Sequence, residues 1–339
     1  MFSKVEFEPL PFLRDGHLMT VAPTIWPRRF GTFARKGEKR LFVVEDGVQV
    51  LAHCHWQKNK HDCPTMIILH GLEGCSESHY VLGLARKAFA VGMNAIRLNL
   101  RNCGGSMHLT PTLYHAGLSQ DIVAVCKELK NGDGLQKLFL AGYSLGGNII
   151  LKAAGELGSE ASRLFGGMGT VSPAIDLNLS VEAIEHPQNK FYEKFFLFTL
   201  KQKIREKARL YPELYDLTHL QTIKSIRQFD DIYTAPNAGY GNAANYYKTA
   251  SALNVLPEIQ VPTLMIAAKD DPLVPFDAFE KLQNKNEYIK RVATIYGGHA
   301  GFLHKVAEKP PIFDNFWAEN RIVDFCLEVM GAQIDSEVA

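Results

Sequence analysis

The sequence predicts an α/β fold in which a mostly parallel central sheet is flanked by helices and carries a helical cap insertion. Short apolar runs alternate with helical patterns from Met66 to Leu157, which is typical of a parallel sheet. Helical patterns alone occupy residues 173–260, after which strand and helix alternate again. No linker rich in Pro, Gly or Ser divides the 339 residues, so residues 1–339 are predicted to form a single domain.

The amino-terminal region is predicted to be an extended arm over residues 1–40 that packs on the body of the protein. This region has no clear hydrophobic period and mixes prolines with aromatic residues, among them Pro9, Phe12 and Trp26. The turn pair Asp46-Gly47 then leads into a β-branched and aromatic run over Val48–Trp56, which predicts a hairpin.

Strands and helices are then predicted in alternation. The predicted strands are the apolar runs Met66–Leu69, Ala95–Leu98, Lys137–Ala141, Phe165–Val171, Pro262–Ala268 and Val292–Tyr296. The predicted helices are Tyr80–Ala90, Asp121–Lys130, Gly147–Leu157, Phe276–Leu282 and Phe313–Val329.

Residues 173–260 are predicted to form a helical cap over the site. Within this insertion, residues 190–209 combine an apolar side with cations: Phe191, Phe195, Phe196, Phe198 and Leu200 beside Lys194, Lys201, Lys203, Arg205 and Lys207. Packing of the apolar side on the body predicts an oily lid. A basic amphipathic helix is also typical of contact with an anionic membrane surface, so peripheral membrane contact is the alternative.

Composition excludes several other classes of protein. Apolar residues make up 46% and charged residues 22%, which is typical of globular proteins and not of disordered or collagen-like chains. Lys and Arg number 37 and Asp and Glu 36, a net charge of +1, so we expect no nucleic-acid partner. Six sparse cysteines, acidic residues near the amino terminus and no run of about 18 apolar residues predict a cytoplasmic protein without a transmembrane segment.

A G-x-S-x-G motif, Gly142-Tyr143-Ser144-Leu145-Gly146, lies between a predicted strand and a predicted helix. A tight strand-to-helix turn needs small residues two before and two after its central serine, and both are glycine here. The free N–H groups at the start of the following helix favour negative charge beside Ser144. The motif therefore predicts that Ser144 is a nucleophile.

A serine nucleophile needs a base and an acid that orients the base, and both follow at later strand ends. Asp270 and Asp271 come after the predicted strand ending at Ala268, and His299 lies in the glycine-flanked run after Tyr296. His299 is predicted to be the base. Asp271 is the preferred acid because it directly precedes the Pro-x-Val-Pro turn, with Asp270 as the alternative.

Acyl transfer also needs N–H donors for the oxyanion that forms. The run His70-Gly71-Leu72-Glu73-Gly74 follows the predicted strand Met66–Leu69, where the first loop of such a fold approaches the nucleophile. The backbone N–H groups of Leu72 and Leu145 are therefore the predicted oxyanion donors, and His70 is predicted to be structural.

Two other patterns do not predict binding sites. His53, Cys54 and His55 alternate across a strand and lack a paired C-x-x-C element, so no metal is expected. The glycines of residues 239–244 imitate a dinucleotide fingerprint, but no strand precedes them. The sequence predicts no cofactor.

Several motifs together resemble those of the α/β-hydrolase superfamily, and more narrowly those of its YheT-like branch. The resemblance covers nearly the whole chain and rests on residues 11–20, 70–74, 142–148, 229–231, 269–272 and 297–302. Two positions depart from the family pattern, because Asn102 stands where glycine is usual and Cys75 where serine is expected. Since asparagine tolerates a left-handed backbone, the loop at Asn102 is expected to keep its conformation.

The resemblance implies an α/β-hydrolase fold and carboxylic ester chemistry, since members include acylglycerol lipases, phospholipases and ester synthase/esterases. We expect a serine hydrolase that cleaves short- to medium-chain or lipid-like esters through an acyl-enzyme, using Ser144, His299 and Asp271. Its expected partner is a small-molecule ester with an apolar acyl chain. An acyltransferase or thioesterase with the same triad, or a non-catalytic protein that binds an acyl ligand, are the alternatives.

Overall fold

The computed structural model describes residues 6–28, 30–282, 286–305 and 314–331. Its strands are β1 (Glu38–Glu45), β2 (Val48–His55), β3 (Thr65–Leu69), β4 (Asn94–Leu98), β5 (Leu138–Tyr143), β6 (Met168–Val171), β7 (Thr263–Ala268) and β8 (Ile289–Thr294). In the described part of the chain they form one sheet in the order β1-β2-β4-β3-β5-β6-β7-β8. Strand β2 is antiparallel to both of its neighbours, and the other adjacent pairs are parallel. The predicted mostly parallel α/β sheet is confirmed.

Helices cover both faces of this sheet. They are α1 (Gly16–Ile25), α2 (His79–Ala90), α3 (Ser119–Lys127), α4 (Leu145–Leu157), α5 (Ala161–Leu164), α6 (Leu177–Glu185), α7 (Lys190–Leu210), α8 (Ile226–Phe229), α9 (Ala235–Asn237), α10 (Ala243–Ala250), α11 (Phe276–Glu280) and α12 (Trp317–Val329). Alternate residues of β3 point to opposite faces, so Ile67 packs with α3 and α4 whereas Ile68 packs with α2 and α12. Every residue of β3 is buried, as is usual for a central parallel strand.

The ends of some predicted elements differ from those in the structure. Strand β8 begins at Ile289, three residues before the predicted start at Val292. It is an edge strand whose residues are only partly buried, so its apolar signal is weak. The closing helix α12 begins at Trp317, and Phe313, where it is predicted to begin, lies outside the described residues.

The prediction of an extended arm over residues 1–40 is wrong for the part that forms α1. Asp15 caps this helix, since the Leu18 N–H donates to Asp15 Oδ1 at 2.9 Å. The helix gives no clear apolar period because Leu18, Val21 and Ile25 are exposed while its buried side includes Gly16 and Pro23. Strand β1 also begins inside the predicted arm, and residues 1–5 lie outside the described residues.

The chain between β6 and β7 forms helices α6 to α10, and their buried side chains join the apolar cluster of α3 and α4. Helix α7 packs through only part of the predicted apolar side, because Leu200 is buried and Phe196 packs against the core, whereas Phe191, Phe195 and Phe198 are 73%, 54% and 61% exposed. Its buried face consists of Glu193, Leu197, Leu200, Ile204 and Lys207. The prediction is wrong for the three phenylalanines, since two charged residues with partners share the buried face: Glu193 pairs with Lys190, and Lys207 donates to the carbonyl groups of Met107 and Thr110.

No helix among the described residues is long and apolar enough to span a membrane.

A buried ion cluster joins the amino-terminal segment to α2 and α12. Both terminal nitrogens of Arg28 donate to the Glu319 carboxylate at 2.7 Å, and Lys87 Nζ lies 2.9 Å from Glu319 Oε2. The half-exposed Asp314 contacts both cations. Only 3% of the Glu319 side chain and 6% of the Arg28 side chain are exposed, so water screens these charges weakly.

Glu319→Gln is expected to lower the free energy of unfolding by about 3 kcal/mol, because it leaves two buried cations with Asp314 alone. Urea unfolding followed by circular dichroism measures this loss.

Glu160→Gln is the matched control, since Glu160 pairs with Arg163 on the surface, where both side chains are more than half exposed. Its effect is expected to stay within about 0.5 kcal/mol. Equal effects of the two variants would contradict a stabilising role for the buried cluster.

Candidate active site

Ser144 lies at a sharp turn between β5 and α4. Its backbone has φ 51° and ψ −117°, a region that residues with a side chain rarely occupy. Glycines on either side make the turn possible, since a Cβ at Gly142 would lie 2.6 Å from the Gly146 carbonyl oxygen. A Cβ at Gly146 would overlap the carbonyl oxygen of His70. The two glycines therefore let the strand, the helix and the loop after β3 meet at Ser144.

The loop after β3 runs past the turn at Ser144. A Cβ at Gly71 would lie 3.1 Å from Ser144 Cβ, and the Gly71 N–H donates to the Tyr80 hydroxyl at 3.1 Å. The Leu100 N–H donates to His70 Nε2 at 3.1 Å, while His70 Nδ1 lies 2.7 Å from the Gly71 carbonyl oxygen. Burial lowers the pKa of His70 to about 4. The imidazole of His70 is therefore neutral and holds two loops together.

Glu73, which lies two residues after Gly71 in this loop, is held from two sides. Its φ is 54°, its N–H donates to the Tyr114 hydroxyl at 3.0 Å, and that hydroxyl donates to Glu73 Oε1 at 2.6 Å. Lys203 of α7 places its ammonium 2.8 Å from Glu73 Oε1 and 3.4 Å from Cys103 Sγ. Burial alone would lower the pKa of Lys203, but Cys103 and Glu73 raise it above its usual value.

Asp271 and His299 are brought into direct contact. His299 Nδ1 lies 2.9 Å from Asp271 Oδ2 and 3.1 Å from Oδ1. Asp271 Oδ1 also accepts the N–H groups of Leu273 and Val274 at 2.9 and 3.0 Å, and only 2% of its side chain is exposed. Because an ionised carboxylate can only accept, the proton of a neutral His299 lies on Nδ1 in this contact, which leaves Nε2 free as a base.

Side chains from three separate parts of the chain hold the loop that carries His299 in place. The Gly298 N–H donates to Asp270 Oδ1 at 2.9 Å, the His299 N–H to Thr20 Oγ1 at 2.8 Å, and the Ala300 N–H to Ser172 Oγ at 3.2 Å. Asp270 thus contacts the backbone of this loop, whereas Asp271 contacts the imidazole.

Sequence reasoning missed Thr20 and Ser172. Thr20 lies in residues 11–20, one of the motifs that carry the family resemblance, and this motif is the signal in the sequence that points to it. Ser172 directly follows β6 and carried no motif.

Ser144, His299, Leu72 and Leu145 all line one cavity. The cavity has about 750 Å³ of empty volume, part of which is open solvent. Apolar side chains from the helices between β6 and β7 form much of its wall, namely Leu177, Val181, Ile184, Phe196, Leu200 and Ile226. A concave site with a largely apolar wall and a few polar groups is typical of a small-molecule site.

The wall of this cavity also contains a carboxyl group, that of Asp230. The Tyr247 hydroxyl donates to Asp230 Oδ2 at 2.7 Å, and both residues line the cavity. Burial raises the pKa of Asp230 to about 6, although hydrogen bonds from Thr234 and Tyr247 oppose the rise. The Phe229-Asp230-Asp231 motif therefore supplies a buried carboxyl group whose pKa lies closer to neutral pH than that of an ordinary aspartate.

The loop that departs from the family pattern keeps its conformation, as expected. Asn102 has φ 65°, and its side-chain amide donates to the Thr112 carbonyl oxygen at 2.7 Å.

Within the described ranges, no group of three or more His, Cys, Asp or Glu side chains is arranged to hold a metal ion.

Comparison with known proteins identifies the family. A family model described as the alpha/beta hydrolase fold matches residues 64–306. The chain belongs to this family. Within the α/β hydrolase fold family, it is 29% identical to the YheT protein of Escherichia coli (strain K12) over 98% of this chain and 96% of that protein. This near-complete overlap puts the chain in the YheT-like branch.

Other relatives and solved structures agree with this family. Phospholipase ABHD3 of Mus musculus is 29% identical over 90% of this chain and 77% of its own length. Monoacylglycerol lipase of Saccharomyces cerevisiae is 32% identical over 71% of this chain and 55% of its own length. The esterase Pf2001 of Pyrococcus furiosus superimposes with a TM-score of 0.56 at 17% identity, over 89% of this chain and 98% of that chain. At this identity, the likeness to Pf2001 shows the fold alone.

Thr20→Val is expected to lower the free energy of unfolding by about 1–3 kcal/mol, because it leaves the His299 N–H without its acceptor. Thr20→Ser keeps the hydroxyl and is expected to stay close to the wild type. Urea unfolding measures both variants.

Thr24→Val is the control on the same helix, since Thr24 donates to the Val21 carbonyl oxygen at an exposed site. Its expected effect is within about 0.5 kcal/mol. A loss as large as that of Thr20→Val would show that the His299 loop does not depend on Thr20.

Proposed function

We propose that this protein hydrolyses carboxylic esters through an acyl-enzyme on Ser144. The observation that carries the proposal is the contact between His299 Nδ1 and Asp271 in a cavity that Ser144 also lines. This contact leaves Nε2 of His299 free to act as a base, and Ser144, which is held in a strained turn, lines the same cavity. Nucleophilic catalysis requires both groups. Relatives named as a phospholipase and a monoacylglycerol lipase support ester chemistry.

In the first half of the proposed reaction, Ser144 Oγ bonds to the ester carbonyl carbon while its proton passes to His299 Nε2. The carbonyl oxygen becomes an oxyanion, to which Leu72 and Leu145 donate their backbone N–H groups. Asp271 stabilises the imidazolium ion. The bond to the leaving alcohol then breaks, and His299 gives the proton to the alcohol oxygen.

In the second half, a water molecule attacks the acyl-enzyme carbonyl and His299 takes its proton. The carboxylic acid leaves, and the proton returns to Ser144 Oγ. The enzyme is thereby restored, and the net change is the hydrolysis of one ester bond.

We further propose that residues 173–260 act as a cap that binds the acyl chain. Helices α6 and α7 of this segment supply apolar side chains to the cavity wall, including Leu177, Val181 and Phe196. Burial of an alkyl chain against this wall contributes about 0.8 kcal/mol for each CH₂ group. Esters with apolar acyl chains are therefore the substrate class that the cavity fits best.

Ser144→Ala is expected to lower kcat/KM for ester hydrolysis by at least about 10⁴-fold, because the acyl-enzyme can no longer form. The measurement is hydrolysis of p-nitrophenyl esters from acetate to palmitate by the wild type and the variant. The preferred chain length reports the depth of the cavity.

A fluorophosphonate probe checks the nucleophile independently, since it labels an activated serine covalently. Labelling of the wild type and not of Ser144→Ala is expected. Retained hydrolysis by Ser144→Ala would overturn the proposed function. Labelling without hydrolysis of any ester in the series would point to another acyl acceptor or substrate class.

Asp271→Asn is expected to lower kcat by about 10³–10⁴-fold, because an amide no longer stabilises the imidazolium ion or selects the correct tautomer of His299. Steady-state kinetics with the best ester of the series measures the loss.

Asp270→Asn is the neighbouring control. The Asn side-chain oxygen can still accept the Gly298 N–H, so kcat is expected to stay within about tenfold of the wild type. The reverse order of the two effects would assign the acid to Asp270.

A further inference from the structure

A buried ion pair joins the proposed cap to the loop of the proposed oxyanion donor Leu72. Lys203 lies on α7, and Glu73 directly follows Leu72. Their side chains are 10% and 5% exposed, and the ammonium lies 2.8 Å from the carboxylate. The pair therefore lies in a place where water cannot easily replace either partner.

The backbone around Leu72 has one anchor on each side. On the amino-terminal side, the Gly71 N–H donates to the hydroxyl of Tyr80, which lies on α2. On the carboxy-terminal side, the Glu73 N–H donates to the hydroxyl of Tyr114. The Gly71 N–H belongs to the peptide group before the one that carries the Leu72 N–H, and the Glu73 N–H belongs to the peptide group after it. The two anchors therefore hold the backbone on both sides of the Leu72 N–H and limit its direction.

The second anchor depends on Lys203. The Tyr114 hydroxyl is oriented by its short bond to Glu73 Oε1, the same oxygen that the Lys203 ammonium contacts. The ammonium also lies 4.3 Å from the centre of the Tyr114 ring, within the range of a cation–π contact. Without Lys203, the Glu73 carboxylate would be a buried charge without its cation, and it would have to take up a proton or move towards water.

We propose that Lys203 and Glu73 are positioning residues for the oxyanion donor Leu72, so that the cap completes the catalytic site as well as binding the acyl chain. This inference rests on the proposed function, because it assigns a purpose to the Leu72 N–H. Lys203 acts through Glu73 and Tyr114, and Glu73 keeps its left-handed backbone conformation through these contacts.

Lys203→Met is expected to lower kcat by about 10²-fold with KM changed less than about threefold, since loss of one oxyanion donor acts on the transition state. A trifluoromethyl ketone that forms a tetrahedral adduct with Ser144 is expected to bind more weakly by a similar factor. Lys203→Arg keeps the charge and is expected to restore much of the kcat.

Lys207→Met is the matched control. Lys207 lies on the same buried face of α7 and also ties the cap to the body, but it donates to the carbonyl groups of Met107 and Thr110 and not to Glu73. Its variant is expected to lose stability while keeping kcat and the affinity for the trifluoromethyl ketone within about threefold of the wild type. Thermal unfolding of both variants separates lost folding from lost positioning.

Glu73→Gln provides the second test. If the two residues act as one unit, Glu73→Gln lowers kcat as Lys203→Met does, and the double variant is no worse than either single variant. Equal kcat for Lys203→Met and Lys207→Met, a loss confined to KM, or additive losses in the double variant would overturn the inference.

The two proposals fail in different ways. Retained hydrolysis by Ser144→Ala would overturn the proposed function whatever Lys203 does. An inactive Ser144→Ala together with a fully active Lys203→Met would overturn the positioning role alone.

Discussion

Ser144 holds a backbone conformation that costs about 1–3 kcal/mol, and its surroundings have to keep it there. Its own N–H donates to the Val171 carbonyl oxygen at 3.0 Å, and its carbonyl oxygen accepts the N–H groups of Asn148 and Ala174 at 3.0 and 3.2 Å. The close approach at Gly146 brings the loop after β3 to the same point. The turn therefore fixes the relative positions of two sheet strands, one helix and the loop after β3.

The remaining parts of the site depend on elements that lie far apart in the chain. The His299 loop takes its hydrogen-bond acceptors from α1, from the end of β6 and from Asp270. The loop around Leu72 takes one anchor from α2 and another that depends on α7. Preorganisation of this kind keeps the reacting groups in place without reorganisation during the reaction.

Much of the fold and the core of the site could be predicted from the sequence because the signals are local. Ser144, Asp271 and His299 each follow a strand within a few residues, and strand ends on one edge of a parallel sheet lie close together. Helix α1 could not be predicted in this way, since its buried side combines one large apolar residue, Met19, with Gly16 and Pro23, while Leu18, Val21 and Ile25 are exposed.

The contacts that position the site were beyond the sequence for a different reason. Lys203 and Glu73 are separated by 130 residues, and nothing in the residues around either one indicates the other. On α7 the phenylalanines suggested the buried side, but Lys207 is buried because its ammonium donates to the carbonyl groups of Met107 and Thr110, which are 100 and 97 residues away in the chain. Partner choice of this kind is a property of the assembled tertiary structure.

The span of the family match has a consequence for how this protein can be divided. Residues 64–306 include Ser144, Asp271 and His299, but they exclude Thr20, Arg28 and Glu319. A fragment cut at those bounds would carry the three residues of the proposed triad on a scaffold that lacks the acceptor for the His299 N–H and the ion cluster between α2 and α12. When parts of related proteins are recombined, the first 28 residues and α12 therefore have to come from the same parent as residues 64–306.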